Sequence, residues 1–188
     1  GLAAAAALIR CDNSNGIQAN TIVIRRNQGV QKCAGGYLIF VGAEAVDANV
    51  NKTNYPMIYN NDVTGTDAAS SLHGIMIGAS TGGAIFGNVI RNAAIPIVSK
   101  LSSNIMIMDN DIIDPTSSQS GCIRSKGTSE LHVAGNRIRM SAGHINPIAV
   151  DQDPTGPTLS TGATFIGNVL YSPVKMTTAA VVGTGSDA

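Results

Sequence analysis

Tryptophan is absent from this 188-residue chain, phenylalanine and tyrosine number only three and four, and Asp, Glu, Lys and Arg together make up 13%. With so few large anchors, a core has to be filled by small and branched side chains, which suits narrow stacked layers. Lys plus Arg equals Asp plus Glu at twelve each, so no overall field draws in nucleic acid or an anionic membrane. Cysteines are three, Cys11, Cys33 and Cys122, an odd number without metal-ligand spacing. They read as buried free thiols behaving like small apolar residues, with a structural disulfide as the minor option and no metal or cofactor implied. Long apolar runs are missing too: Ala3 to Leu8 is too short to cross a bilayer, so no membrane insertion is expected. The chain starts at Gly1 without Met, as a processed or truncated piece would.

A local frame does recur: apolar, two residues, Asn, one residue, apolar. It fits Ile58 to Val63 around Asn61, Ile85 to Ile90 around Asn88, Ile107 to Ile112 around Asn110, Val133 to Ile138 around Asn136, and Phe165 to Leu170 around Asn168. A sixth copy around Asn27 is one residue out of frame after the Asn. The intervals between Asn residues from Asn61 onward are 27, 22, 26 and 32 residues. A loose period around a strict frame is what stacked turns with variable loops produce.

Apolar positions before each Asn alternate, as in Ile105 and Ile107 or Leu131 and Val133, and period two is a strand signal. The Gly-Asn or Asn-Asp that follows is turn chemistry, because these residues accept left-handed backbone. Stacking would put Asn61, Asn88, Asn110, Asn136 and Asn168 above one another as a ladder, each amide bonding the next coil. The expected fold is all-β: a single-stranded parallel β-helix, a solenoid of about six to seven coils. Ile-x-x-Asn-x-Ile at this spacing resembles the pectin-lyase-like right-handed parallel β-helix superfamily, whose members include polysaccharide lyases, glycosidases, epimerases and phage tailspikes.

Residues 1–16 read as an N-terminal cap or linker, in which Ala-rich Gly1 to Arg10 forms a short capping helix or a connection. Residues 17–172 carry the β-helix, and 173–188 a tail or the start of a further module. Tyr37 to Val41 is a continuous apolar run of buried-strand type. Gly42 to Pro56 and Asp151 to Pro157 read as loops.

Alternation also names the outward side chains. Four and two residues before each Asn stand Val23 and Arg25, Met57 and Tyr59, Ala84 and Phe86, Met106 and Met108, His132 and Ala134, Thr164 and Ile166. Most are apolar, and a contiguous apolar column is seldom left bare. Met57, Tyr59, Phe86, Met106, Met108 and Ile166 are therefore interface candidates for a homo-oligomer, with a trimer favoured by the likeness to tailspikes.

By the same resemblance, Lys100 and Arg124 on adjacent coils look similar to the Lys and Arg of β-helix alginate and chondroitin lyases. Lys100 would take the proton alpha to a uronate carboxyl and Arg124 would neutralise the carboxylate or assist the leaving oxygen. The acidic calcium ligands of those lyases are replaced here by Ala93, Ala94, Ile95 and Pro96. Asp109, Asp111, Asp151 and Asp153 are the carboxylates from which a glycosidase pair could be drawn, and each also reads as turn chemistry. His73, His132 and His144 show no metal or nucleophile constellation.

Three functions follow as expectations. The first is a structural and adhesion module of a virion-type spike or fibre, virion-borne or extracellular, that self-associates and contacts cell-surface polysaccharide, with Tyr37, Tyr55, Tyr59 and Tyr171 available for sugar contact. The second is a polysaccharide lyase or glycoside hydrolase of the same fold. The third is a filament or stalk subunit without glycan binding.

Overall fold

Alternation of apolar residues becomes strand in every repeat of the computed structural model, which describes residues 7–12, 20–31, 36–43, 53–65, 72–116, 121–140, 148–151, 162–172 and 180–182. The strands come in rounds. The first holds β1 (Ala7–Asp12), β2 (Val23–Arg25) and β3 (Gln28–Gln31). The second holds β4 (Gly36–Gly42), a short β5 (Thr53–Asn54), β6 (Met57–Tyr59) and β7 (Asp62–Gly65). The third repeats it with β8 (Leu72–Gly78), β9 (Ser80–Thr81), β10 (Ala84–Phe86) and β11 (Val89–Arg91). Then come β12 (Ile95–Lys100), β13 (Ser103–Met108) and β14 (Asp111–Ile113), followed by β15 (Ile123–Lys126), β16 (Ser129–Ala134) and β17 (Arg137–Arg139). A sixth round has β18 (Ile148–Asp151), β19 (Thr164–Ile166) and β20 (Val169–Tyr171), and β21 (Ala180–Val182) opens a seventh.

Each round gives one ladder strand to each of three sheets in the same order. Sheet A runs β1-β4-β8-β12-β15-β18-β21, sheet B β2-β6-β10-β13-β16-β19 with β5 and β9 beside it, and sheet C β3-β7-β11-β14-β17-β20. All strand pairs are parallel, and among the described residues the chain is all-β without a helix.

Alternation sends one set of side chains inward from all three sheets. Ile39, Ile75, Ile97 and Ile123 come from sheet A, Ile58, Ile85, Ile107 and Val133 from sheet B, and Val63, Ile90, Ile112 and Ile138 from sheet C; all are buried in one cluster. Burying each such side chain is worth roughly 1.5–3 kcal/mol. Register keeps like on like: Ile58, Ile85, Ile107, Val133 and Phe165 follow one another strand by strand.

Between sheets B and C the chain turns on one residue with positive φ directly before the repeated Asn: Arg26, Asn60, Gly87, Asp109, Gly135 and Gly167, at 53 to 64°. Five of the six are Gly, Asn or Asp, the residues that tolerate this conformation.

Two expectations at the termini change. Ala7 to Arg10 is not a capping helix but the start of β1, in register with β4 through Ile9 and Ile39. Ala's helix preference is under about 1 kcal/mol per residue, less than Ile9 gains by packing on the core, where it also pairs the edge of β4. Residues 1–6 lie outside the described residues. Within 173–188, β21 pairs with β18, so the stack gains a strand after the last Asn frame.

Candidate functional site

Three surfaces and one buried row could carry function. The row lies at the B–C corner. Nδ2 of Asn27, Asn61, Asn88, Asn110 and Asn136 each donates to Oδ1 of the next Asn at 2.9 Å, ending at Asn168. The backbone N–H of each donates to the same Oδ1 at 3.0–3.1 Å. A further Nδ2 bond reaches the strand of the preceding round, as from Asn88 to the Ile58 carbonyl at 2.9 Å. The out-of-frame Asn27 takes its place in the row because its side chain, not the spacing after it, makes the bond. With Asn61, Asn88, Asn110 and Asn136 fully buried, these amides hold coils together and are closed to solvent.

The outer face of sheet A forms a cleft. Register aligns Phe40, Met76, Val98 and Arg124 in one row, Tyr37, His73 and Ile95 in a second, and Gly42, Gly78, Lys100 and Lys126 in a third. Tyr37, Phe40, Met76, Ile95 and Val98 form a second apolar cluster, separate from the core and buried. Beside it opens a cavity of about 140 Å³ lined by Tyr37 and His73 at one side and Lys100, Arg124 and Lys126 at the other. The Tyr37 and His73 rings stack with centroids 5.2 Å apart, and the Arg10 guanidinium lies 4.9 Å above the Phe40 ring.

The structure thus brings Lys100 and Arg124 into one cleft, and adds Lys126, which sits beside Lys100 in register. Lys126 could have been found from Arg124-Ser-Lys126, whose spacing of two puts both cations on one face. Chemically, three cations next to an apolar and aromatic wall can hold an anionic group on an apolar body. Ala93 to Pro96, ahead of Lys100, are buried and supply no acidic ligand, and among the described residues no three His, Cys, Asp or Glu gather to hold a metal.

The carboxylates lie elsewhere. Asp109 occupies an exposed corner with φ 53°. Asp111 faces outward on sheet C, where its Oδ2 accepts from Arg139 Nη2 at 2.8 Å, and Asp62 is paired in the same way with Arg91. Asp151 ends β18, in register with Lys126, and Asp153 lies outside the described residues. His132 stands in the outward column of sheet B between Met106 and Thr164, and His144 lies outside the described residues. Burial pushes the Cys122 thiol up to about 12 and that of Cys11 upward as well, so neither is a ready nucleophile; both are free, and Cys33 is outside the described residues.

Sheet B carries the third surface. Register runs Val23, Met57, Ala84, Met106, His132, Thr164 along one row and Arg25, Tyr59, Phe86, Met108, Ala134, Ile166 along the other. Tyr59 and Phe86 stack face to face, 4.8 Å apart and 6° from parallel, and Arg25 donates to the Tyr59 hydroxyl at 3.1 Å. Stacking spends ring faces on each other, so what the surface offers is ring edges and methionine methyls. Val23, Met106 and Ile166 are 48, 40 and 57% exposed, which leaves the column open to a partner.

Sequence reading missed a row of hydroxyls at the A–B corner, where Ser102 Oγ accepts from the Ser80 N–H at 3.1 Å and the Ser99 and Thr128 hydroxyls are hydrogen-bonded at 2.9 Å. It is buried and structural. No helix among the described residues is long and apolar enough to cross a membrane. Compared with protein-family models, curated proteins and solved structures, the chain matches none.

Proposed function

We propose that the chain is a right-handed single-stranded parallel β-helix acting as a structural and adhesion module of a virion-type or extracellular spike or fibre, self-associating as a trimer through sheet B and contacting surface polysaccharide. Handedness rests on a general rule: crossovers between parallel strands of one sheet are right-handed in nearly all proteins, and every return to sheet A is such a crossover. The observation that carries self-association is the continuous outward column around the Tyr59–Phe86 stack, with Met106 and Ile166 exposed in it. An apolar stripe of this length on a rigid face is an interface feature. A trimer closes such contacts while all copies run in one direction. Support for sugar contact comes from Tyr55 and Tyr171, 60 and 63% exposed, and from the sheet A cleft.

Replacing Phe86 by Lys puts a charge in the middle of the column. The variant is expected to sediment as a monomer with an unchanged far-ultraviolet circular dichroism spectrum; an unchanged assembly would remove sheet B from the reading. A glycan array tests adhesion, and an array without hits leaves a filament or stalk subunit.

A second reading, a polysaccharide lyase, is favoured by one observation, the joint projection of Lys100 and Arg124 into the cleft. Product release from polyuronates that is abolished by Lys100→Ala would support it, and release unchanged in both Lys100→Ala and Arg124→Ala would dispose of it.

A further inference from the structure

Sheet C presents a pattern that neither the core nor the proposed trimer uses. Its outward residues in order along the stack are Gln28 and Val30, Asp62 and Thr64, Val89 and Arg91, Asp111 and Ile113, Arg137 and Arg139, Val169 and Tyr171. The signs therefore run minus, plus, minus, plus, with an apolar residue at either end. Val30, Val169 and Tyr171 are 53, 59 and 63% exposed, and Arg137 and Arg139 are exposed as well.

Consider two copies of this face meeting. If the stacks run in the same direction, the two-fold axis lies along the stack and exchanges the two columns, so each round meets its own copy and Arg137 faces Arg139 of the other copy. If they run in opposite directions about a two-fold axis parallel to the strands, β11 faces β14, β7 faces β17 and β3 faces β20. Strand direction is preserved by that axis, so the two outward columns each meet themselves reversed. Asp62 then faces Arg137 of the other copy, Arg91 comes diagonally to its Asp111, and Val30 meets its Tyr171. Arg139 faces Thr64 of the other copy, and each of these contacts occurs twice, as an isologous interface requires.

The geometry points to sheet C as an antiparallel contact between two copies of this chain. Asp62 and Asp111 are bridged within the chain by Arg91 and Arg139, so Arg137 stands outside both pairs; an antiparallel copy sets it against Asp62, whereas a parallel one sets it against Arg139, and this charge complementarity argues for the antiparallel occupant. Six strands at about 4.8 Å span roughly 24 Å, a patch smaller than the ~800 Å² per partner of a standard interface, so the contact is weak and salt-sensitive. It goes beyond the proposed trimer, because it links assemblies side by side in opposite directions.

The test mixes chains carrying Val30→Cys with chains carrying Tyr171→Cys under mild oxidation. Those positions lie on sheet C and cannot be joined through sheet B. The expected product is the disulfide between positions 30 and 171, with a yield falling at least fivefold from 0.1 to 1 M salt. Adding Asp62→Arg to both chains opposes it to Arg137 and is expected to cut the yield at least tenfold. Placing Asp62→Arg on the first chain and Arg137→Asp on the second restores opposite charges at both contacts and is expected to recover most of the yield, which a merely misfolded variant cannot do. Joining of Val30→Cys chains to one another, a yield indifferent to salt, or no recovery in the complementary mixture would each overturn the inference.

Discussion

Asn88 donates twice to a single atom: its backbone N–H and its side-chain Nδ2 both reach Oδ1 of Asn110, at 3.0 and 2.9 Å. Asn110 repeats this toward Asn136 and also donates Nδ2 to the Ile85 carbonyl at 2.9 Å. One side chain thus satisfies buried groups in two neighbouring rounds, which is why the corner can be both polar and dry.

Truncating the middle of that row should therefore cost more than truncating its end. Asn110→Ala removes the acceptor of the buried Asn88 backbone N–H, while Asn88 Nδ2 keeps its bond to the Ile58 carbonyl, and an orphaned donor of this kind costs about 1–3 kcal/mol. Asn27 is half-buried at the first rung, and Asn27→Ala should cost about 1 kcal/mol. Urea unfolding of both variants measures the difference; equal losses would mean that the row does not couple the coils.

Gly78 is fixed by its neighbour. A Cβ there would lie 2.0 Å from the Ala43 carbonyl oxygen, on backbone that cannot move alone, because the Ala43 N–H bonds the Gly78 carbonyl at 3.2 Å. Gly78→Ala should lose about 3 kcal/mol or fail to fold. At Gly167 the φ is 62° but nothing lies within 4 Å of an added Cβ, so Gly167→Ala should cost only the backbone strain, about 1 kcal/mol. Thermal or urea melts of the pair separate close packing from conformational strain.

Cys122 makes stability depend on alkaline pH. Its folded thiol is pushed from the ordinary 9.0 to about 12 by burial. Below pH 9 the thiol is protonated folded or unfolded and the stabilising difference is fully present. Between 9 and 12 only the unfolded chain has lost the proton, so stability falls as pH rises, by about 1.4 kcal/mol per pH unit. Cys122→Ala should flatten that part of the curve, and the native protein should leave Cys122 unreactive toward a thiol reagent at pH 8. Rapid labelling of Cys122 in the folded chain would contradict this burial.

Much of this fold could be read from residues because two devices are local. Period two fixes the outward rows of sheet B, so Met57, Tyr59, Phe86, Met106, Met108 and Ile166 fall where counting back from each Asn puts them. The Asn itself marks a corner that needs a left-handed residue before it. Sheet A resisted the same reading because its second apolar cluster buries both faces of β4, and a strand buried on both faces no longer alternates. That loss hid the wall of Tyr37 and Phe40 next to Lys100 and Arg124. β1 was hidden by alanines, whose weak helix preference gives way to an available sheet edge. The charge order of sheet C spreads over four rounds, so no local window contains it.

The most direct measurement is the solution mass of the purified chain by light scattering across a dilution series, with Met106→Lys beside it. Met106 is 40% exposed on the outer face of sheet B, so a Lys there disturbs no core contact. The account predicts a trimer of the native chain that persists on dilution and a folded monomer for Met106→Lys. A native chain that stays monomeric and soluble at every concentration would contradict it, and would turn attention from sheet B to the cleft of sheet A as the working surface of a single molecule.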